Sequence, residues 1–174
     1  TFGHFFRLTT WGESHGVSIG GVVDGVPPNL ELTSEILQAD LNRRKPGSYV
    51  LTSARLEKDE VEILSGVFEG KTLGTPIAFM VRNQDHQSKD YETLRSVYRP
   101  GHGDYTYQQK YDHRDYRGGG RASARETVSR VVGGAIGKVI LRNLFGENVC
   151  IKAAITQIGS LKINATSWDW DLVN

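Results

Sequence analysis

The chain has 174 residues, of which 24% are charged and 38% hydrophobic, a balance typical of a folded globular protein rather than a disordered one. Its formal net charge of +1 provides no overall field for nucleic acid or an anionic membrane surface, so neither partner is expected. A single cysteine excludes an internal disulfide, and no stretch reaches the roughly 20 apolar residues that span a bilayer, so we expect a cytoplasmic protein.

The first half of the chain predicts a sheet with one helix. Each strand is predicted from a run of apolar or β-branched residues, at 5–10, 17–24, 51–55, 60–67 and 76–81. A helix is predicted over 33–44, capped by Thr33 or Ser34 and ended by Pro46–Gly47. Residues 83–104 are polar with little periodicity, and a loop of this length in a compact domain is typically functional or mobile.

The clearest helix follows residue 123. Ser123 and Glu126 match the capping-box pattern, and apolar residues then recur at helical spacing from Val128 to Ile140. The helix contains glycines that would each weaken it in isolation by ~1 kcal/mol relative to Ala, at Gly133, Gly134 and Gly137. We expect them where another backbone packs closely, and therefore a helix buried in the core.

Beyond this helix the pattern weakens. One further strand is predicted over 149–158, and Cys150 within it is expected to be an inert core residue. The last residues, 168–174, carry no closing signal, so we expect the chain to be part of a longer protein.

The first motif with candidate catalytic side chains is Gly12-Glu13-Ser14-His15-Gly16. It matches the Gly-x-Ser-x-Gly nucleophile elbow of serine hydrolases, but that elbow needs a following helix and residues 17–23 predict a strand. Two interpretations remain. The motif is a strand kink with a structural histidine, or it brings a hydroxyl and an imidazole to a ligand. Imidazole has the pKa that suits proton transfer near neutral pH.

A second histidine, His102, lies at the tip of Arg99-Pro-Gly-His-Gly-Asp-Tyr105, in a loop whose path is fixed by proline and glycine. On its own such a histidine is either solvated or catalytic, and active-site residues favour loops on a rigid scaffold. One cysteine and scattered histidines do not supply a closed metal site, so no metal is predicted.

The third motif is the glycine-rich segment 114–125, which leads into the start of the clearest helix. Free backbone N–H groups and the positive end of a helix dipole favour anions there, and Arg121 and Arg125 add charge. The alternative is a solvated basic loop. Arg44, at the end of the helix over 33–44, is by itself explained as a cation at a helix C-terminus.

Together these motifs closely resemble the chorismate synthase family. The matching segments are 12–16, 99–105 and 116–127, joined by 23–28, 40–44 and 64–70, in the family's order and spacing. The resemblance covers essentially the whole chain but about half the family's length. It implies that 1–174 is the N-terminal half of a single α+β domain, in which antiparallel β-sheets sandwich central helices, and that the full-length protein is a homotetramer.

The family resemblance also implies a carbon–oxygen lyase of the shikimate pathway, which leads to the aromatic amino acids. Its reaction is the trans-1,4-elimination of phosphate from 5-enolpyruvylshikimate 3-phosphate to give chorismate, and it needs reduced FMN. Whether the protein reduces its own flavin with NADPH stays open. Because the C-terminal half is absent, the alternative is a non-catalytic fragment that binds anions or flavin.

Site residues follow from the same resemblance. His15 is the implied acid for the leaving phosphate, and His102 is the implied proton donor toward the flavin. The implied substrate contacts are Ser14, Arg44, Arg55, Arg99, Ser123 and Arg125. The implied flavin contacts are Arg121, Ala122, Ser123 and His102. Val50 stands where many members carry an arginine, so that contact is not expected.

Overall fold

A computed structural model describes residues 1–45, 58–84, 93–164 and 169–172. The strand predicted at 51–55, the helix stop at Pro46–Gly47, Val50 and the implied substrate residue Arg55 lie outside these ranges. The chain divides into two compact units, Thr1–Ile140 and Leu141–Asn174.

The larger unit is built on a four-stranded antiparallel sheet. The strands of this unit are β1 (Arg7–Gly12), β2 (Ser18–Asp24), β3 (Val61–Ile63), β4 (Val67–Phe68), β5 (Lys71–Thr72) and β6 (Ile77–Arg82). The sheet has the order β1–β2–β6–β3, while β4 and β5 form a separate hairpin. The strand predicted at 60–67 ends early, because the chain turns through Gly66 at φ +79°, where a Cβ would lie 2.8 Å from the Ile77 Cα.

One face of this sheet forms the core. The register aligns Leu8 with Val23 and Val23 with Ile77, so their side chains point to the same side. Phe79 is fully buried over Gly21, where a Cβ would lie only 2.7 Å from the ring. Burying a large apolar side chain contributes about 1.5–3 kcal/mol, so this face accounts for much of the stability of the unit.

The described residues form the α-helices α1 (Ser34–Arg44), α2 (Asp104–Tyr111) and α3 (Thr127–Phe145), and α1 and α3 cover the core face. The buried side chains of α1 are Leu37 and Leu41, and those of α3 include Val128, Val132 and Ile136. Antiparallel strands packed on helices confirm the predicted α+β class. No helix among the described residues is long and apolar enough to cross a bilayer.

Helix α2 was not predicted. It has no apolar stripe, since its one buried residue is Asp104. Its ends are set by backbone geometry instead, with Gly103 at φ 69° and Asp112 at φ 53° on either side. Because this stretch has no apolar period, the sequence pattern did not predict a helix there.

The glycines of α3 fulfil the packing prediction at one position. A Cβ at Gly133 would lie 2.7 Å from Leu8 Cδ2, so close packing is confirmed, although the neighbour is a side chain rather than a backbone. At Gly134 and Gly137 nothing described lies within 4 Å, and the prediction is wrong for them in this chain.

The smaller unit contains one hairpin, formed by β7 (Gln157–Ile158) and β8 (Leu161–Lys162). Most of the strand predicted at 149–158 is irregular. Cys150 is exposed, so its prediction as a core residue is wrong. Ile151 and Ile155 are 70% and 69% exposed, so their side chains form no part of the described core.

Candidate functional site

The glycine turn of the third motif lies between the two implied catalytic histidines. At Gly118, with φ +56°, a Cβ would lie 1.9 Å from His15 Cδ2 and 2.2 Å from His15 Nε2. At Gly119, with φ +83°, a Cβ would lie 3.0 Å from His102 Cδ2. Both imidazoles therefore contact neighbouring residues of one turn. Only glycine combines this backbone conformation with so close an approach.

The loop between β1 and β2 carries His15 into this position. Ser14 and His15 are 1% and 7% exposed, and Ser14 Oγ donates a hydrogen bond to the Gly118 carbonyl at 3.0 Å. The loop is followed by strand β2, as the sequence predicted, so the strand–turn–helix setting of a hydrolase elbow is absent. The Ser14 hydroxyl serves to hold the glycine turn.

His102 lies at the exposed tip of its loop. Its Nδ1 is 3.0 Å from the Pro100 carbonyl oxygen. Because a carbonyl oxygen only accepts hydrogen bonds, Nδ1 carries the proton, and Nε2 holds the lone pair when the ring is neutral. Nε2 is therefore the ring nitrogen left to exchange a proton with a ligand.

Arg99 is held by the carboxylate at the start of α2. Its Nε and backbone N both donate to Asp104 Oδ2 at 3.0 Å, and its Nη2 donates to Oδ1 at 3.2 Å. Burial acts to raise the pKa of Asp104, but these hydrogen bonds outweigh it and hold the pKa below its ordinary value. The Arg99–Asp104 pair fixes the second motif in its loop conformation.

A buried ion cluster lies at the start of α3 and the end of α1. Asp59 is 1% exposed and accepts from two arginines, with Arg125 Nη1 on Oδ1 and Arg44 Nη1 on Oδ2, both at 2.9 Å. Arg44 Nε also donates to Thr127 Oγ1 at 3.2 Å. Two implied substrate residues that are far apart in sequence are thus joined through one carboxylate.

This cluster gives a stability prediction. We expect Arg125→Ala to destabilise the full-length protein by about 3 kcal/mol, because it leaves the Asp59 carboxylate buried with one guanidinium fewer. The value lies at the low end of the range for broken buried pairs, since Arg44 stays on Oδ2. Denaturant unfolding midpoints measure the effect.

The matched control is Arg82→Ala. Arg82 Nε contacts Glu62 Oε1 at the same 2.9 Å, but these side chains are 59% and 43% exposed, against 4% and 0% for Arg125 and Asp59. Exposed pairs contribute about 1 kcal/mol or less. If both changes lowered the free energy of unfolding equally, burial of the Arg125–Asp59 pair would not increase its contribution to stability.

Arg121 is engaged by strand β1. Its Nη1 donates to the Gly12 carbonyl at 2.7 Å, and its Nη2 donates to Thr10 Oγ1 at 2.7 Å. Both nitrogens also contact the Glu126 carboxylate, at 2.7 and 2.8 Å. As a flavin contact Arg121 stays a prediction, while the structure shows it joining the glycine turn to the end of β1.

The predicted capping box forms only in part. Ser123 Oγ accepts a hydrogen bond from Arg125 N at 3.3 Å, as an N-cap residue should. The Glu126 carboxylate bonds Thr10 and Arg121 instead of reaching back to Ser123. Residues Ala124–Glu126 therefore form a 3₁₀ turn, and α3 begins at Thr127.

A cavity of about 500 Å³ opens beside the glycine turn. It is lined by Glu13, His102, Gly103, Asp104, Tyr107, His113, Arg114, Asp115, Tyr116, Arg117, Gly119, Gly120 and Arg121. Cavities of this size hold small molecules and cofactors. Two of the implied flavin residues, His102 and Arg121, are among its walls.

Acidic groups in this cavity have shifted proton affinities. Burial raises the pKa of Glu13 above its ordinary value; Asp115 and Glu126 raise it further, while Arg121 opposes them. Burial also acts to raise the pKa of Asp115, but hydrogen bonds from Arg117 outweigh it and hold that pKa low. Of the three carboxyl groups in this wall, Glu13 has its pKa raised, while the pKa values of Asp104 and Asp115 are lowered.

The remaining implied residues lie around this turn. Ala122 lies under Gly103, where a Cβ would be 3.5 Å from the Ala122 Cβ, so the second and third motifs are in contact. Ser14, His15, Ser123 and Arg125 pack beside the turn rather than in the cavity wall. Among the described residues no group of His, Cys, Asp and Glu side chains could hold a metal ion.

Sequence reasoning missed several residues that organise this site. Glu13 lies in the first motif and Asp104 in the second, so their positions in these motifs are a signal by which the sequence could identify them. Asp59 and Asn83 carry no such signal. They are isolated polar residues whose partners are known only from the fold.

Comparison with known proteins gives a consistent family. A family model described as chorismate synthase matches residues 6–172. A chorismate synthase of Gluconobacter oxydans is 57% identical over 99% of this chain and 48% of its own length. One of Bacteroides thetaiotaomicron is 53% identical over 99% of this chain and 47% of its own length.

Solved structures agree. A crystal structure of chorismate synthase is 37% identical, with a TM-score of 0.57, over 80% of this chain and 35% of that one. The chain spans about half the length of the curated relatives it matches.

Proposed function

Because the chain belongs to the chorismate synthase family, we propose that it is the N-terminal half of a lyase that eliminates phosphate from 5-enolpyruvylshikimate 3-phosphate to give chorismate. The activity proposed is that of the full-length protein. The observation that carries the proposal is the placement of His15 and His102 at adjacent glycines of one turn. The homotetramer and the cytoplasmic location implied by the resemblance belong to the same proposal.

The substrate carries two carboxylates and a phosphate, so the site must supply positive charge. Arg99 shares the Asp104 carboxylate with Arg114, and Arg117 is paired with Asp115. In the Arg44–Asp59–Arg125 cluster two guanidinium groups meet on one buried carboxylate, and both are residues that the family resemblance implies for substrate binding. We therefore assign substrate-anion binding first to this cluster, with Ser123 beside Arg125.

Proton transfer is assigned to the two histidines. His15 lies against Gly118 and donates a proton to the departing phosphate oxygen, which lowers the cost of expelling a multiply charged group. His102 has its Nδ1 proton tied to Pro100, which orients Nε2 for exchange of a proton with a cavity ligand. Ser14 fixes the distance between the His15 loop and the turn through its bond to Gly118.

The cavity fits a flavin in size and in the presence of His102 on its wall. His102 would contact reduced FMN from this half, with Ala122 and Ser123 supporting the wall residues Gly103 and Gly119 from behind. Arg121 would shape that wall through its bonds to β1. Bound reduced flavin supplies transient electron donation to the ring as phosphate leaves. This half contributes orientation and proton transfer, while the remaining contacts belong to the rest of the protein.

The test uses the full-length protein, anaerobically, with reduced FMN and 5-enolpyruvylshikimate 3-phosphate. We expect chorismate and inorganic phosphate in equal amounts, and no product with oxidised FMN alone. The same assay with residues 1–174 should give no turnover. Flavin or substrate binding without turnover by the full-length protein would instead support the alternative of a non-catalytic anion-binding protein. Repeating the reduction with NADPH shows whether the protein reduces its own flavin.

A further inference from the structure

Asn83 connects the loop of the first motif to Arg125. It follows the last residue of β6 and is 7% exposed. Its Nδ2 donates to the Glu13 and Gly16 carbonyls at 3.0 and 2.8 Å, and its Oδ1 accepts from Arg125 Nε at 2.6 Å. Its backbone N also donates to the Val17 carbonyl at 3.0 Å. One buried amide therefore touches both ends of the loop and a guanidinium group.

The chemistry of these partners fixes the orientation of the amide. Carbonyl oxygens only accept and a guanidinium only donates, so Nδ2 must face the loop and Oδ1 must face Arg125. No other side chain of similar size supplies two donors on one side and an acceptor on the other. Aspartate loses both donors and adds a negative charge beside Arg125, while leucine keeps the approximate size, adds no charge and loses all three hydrogen bonds.

The loop that Asn83 holds contains Ser14 and His15 between its two bonded carbonyls. The Arg125 guanidinium that it holds also donates to Asp59 Oδ1 at 2.9 Å. A shift of about 1 Å in a catalytic group slows reactions by roughly a hundredfold. Both groups would move if the amide were removed.

We propose that Asn83 is a positioning residue, which sets the His15 loop through its amide nitrogen and the Arg125 guanidinium through its amide oxygen. The inference rests on the proposed function, because it assigns the consequences to proton transfer and to substrate binding separately. Asn83 does not itself touch substrate. The amide nitrogen affects kcat through the His15 loop, and the amide oxygen affects KM through Arg125.

This division predicts different results for Asn83→Leu in two backgrounds of the full-length protein. In the Arg125→Ala background the substitution releases only the loop, so kcat should fall by a further factor of about ten to a hundred, while the KM for substrate changes by no more than about twofold. In the otherwise unmodified protein Asn83→Leu releases the loop and Arg125, so kcat should fall similarly and KM should rise by about fivefold or more. If the leucine variant does not fold, Asn83→Ala replaces it with the same expectation.

The control is Asn143→Leu, a change at an exposed asparagine on α3 that should alter neither constant. Thermal midpoints check that the variants are folded. No effect of Asn83→Leu on kcat and KM in either background, or an equal loss of kcat with unchanged KM, would overturn the inference, since loss of folded enzyme alone gives the latter. A positive result requires that the effect on KM differ between the two backgrounds.

Failure of the proposed function can be told apart from failure of this inference. If the unmodified full-length protein gives no chorismate, the lyase proposal fails, and binding of 5-enolpyruvylshikimate 3-phosphate is measured by calorimetry. Weaker binding by about fivefold for Asn83→Leu in the otherwise unmodified protein, but not in the Arg125→Ala background, would still support the positioning of Arg125. An equal effect of the substitution in both backgrounds would overturn it. If the unmodified protein is active and the effect on KM does not differ between the backgrounds, only the inference fails.

Discussion

His15→Ala in the full-length protein is expected to lower kcat by about 10²–10⁴-fold, the range for loss of a positioned general acid. The imidazole is 7% exposed and lies against Gly118, and water that enters the space it leaves is a much weaker acid than an imidazolium. We expect the folded state to persist, because Ser14 still holds the turn through its bond to the Gly118 carbonyl. Single-turnover measurements of phosphate release give the rate.

Added imidazole should restore part of the His15→Ala rate, since the substitution leaves a space of the shape of the lost ring. His102→Ala should also lower turnover sharply. Because His102 is exposed, its rescue by added imidazole does not require a buried space left by the ring. His4→Ala is the control, because His4 is exposed and lies outside the site. Activity near that of the unmodified protein in both His15→Ala and His102→Ala would remove the acid–base assignment.

Gly118→Ala should be at least as damaging to turnover as the loss of His15. The added Cβ would lie 1.9 Å from His15 Cδ2 and 2.9 Å from Ser14 Oγ, distances that real contacts do not reach. The imidazole must therefore leave its place or the turn must move, and either change separates His15 from the site. A φ of +56° adds a backbone cost of about 1–2 kcal/mol for alanine.

Gly159→Ala separates the steric effect from the backbone effect. Gly159 has nearly the same φ, +57°, but nothing described lies within 4 Å of its Cβ position. We expect Gly159→Ala to lower the unfolding midpoint slightly and leave kcat unchanged. If Gly118→Ala behaved the same way, His15 would not need its observed place against the turn. Steady-state kinetics and thermal unfolding of both variants decide between these results.

Local patterning predicted most of the regular structure. The apolar and β-branched runs at β1, β2 and β6 and the helical spacing in α3 predicted elements that contribute to one core. Helix α2 was missed because its residues carry no apolar period, and its position depends on Gly103, Asp112 and the Asp104 ion pairs. The 60–67 strand was too long, since the approach of Ile77 to Gly66 is a tertiary contact.

The sequence by itself determined the α+β class, the family resemblance and the three motifs that carry the histidines and the glycine turn. Only the tertiary structure decided which charged and polar groups are partners. Asp59 and Arg125 are 66 positions apart, and Arg121 bonds Gly12 across 109 positions. Hydrogen bonds and ion pairs depend on distances of a few ångströms, which sequence spacing sets only within a helix, a strand or a turn. The motifs could be recognised because their residues are close in sequence. The roles of Asp59 and Asn83 could not, because their partners are close only in the folded chain.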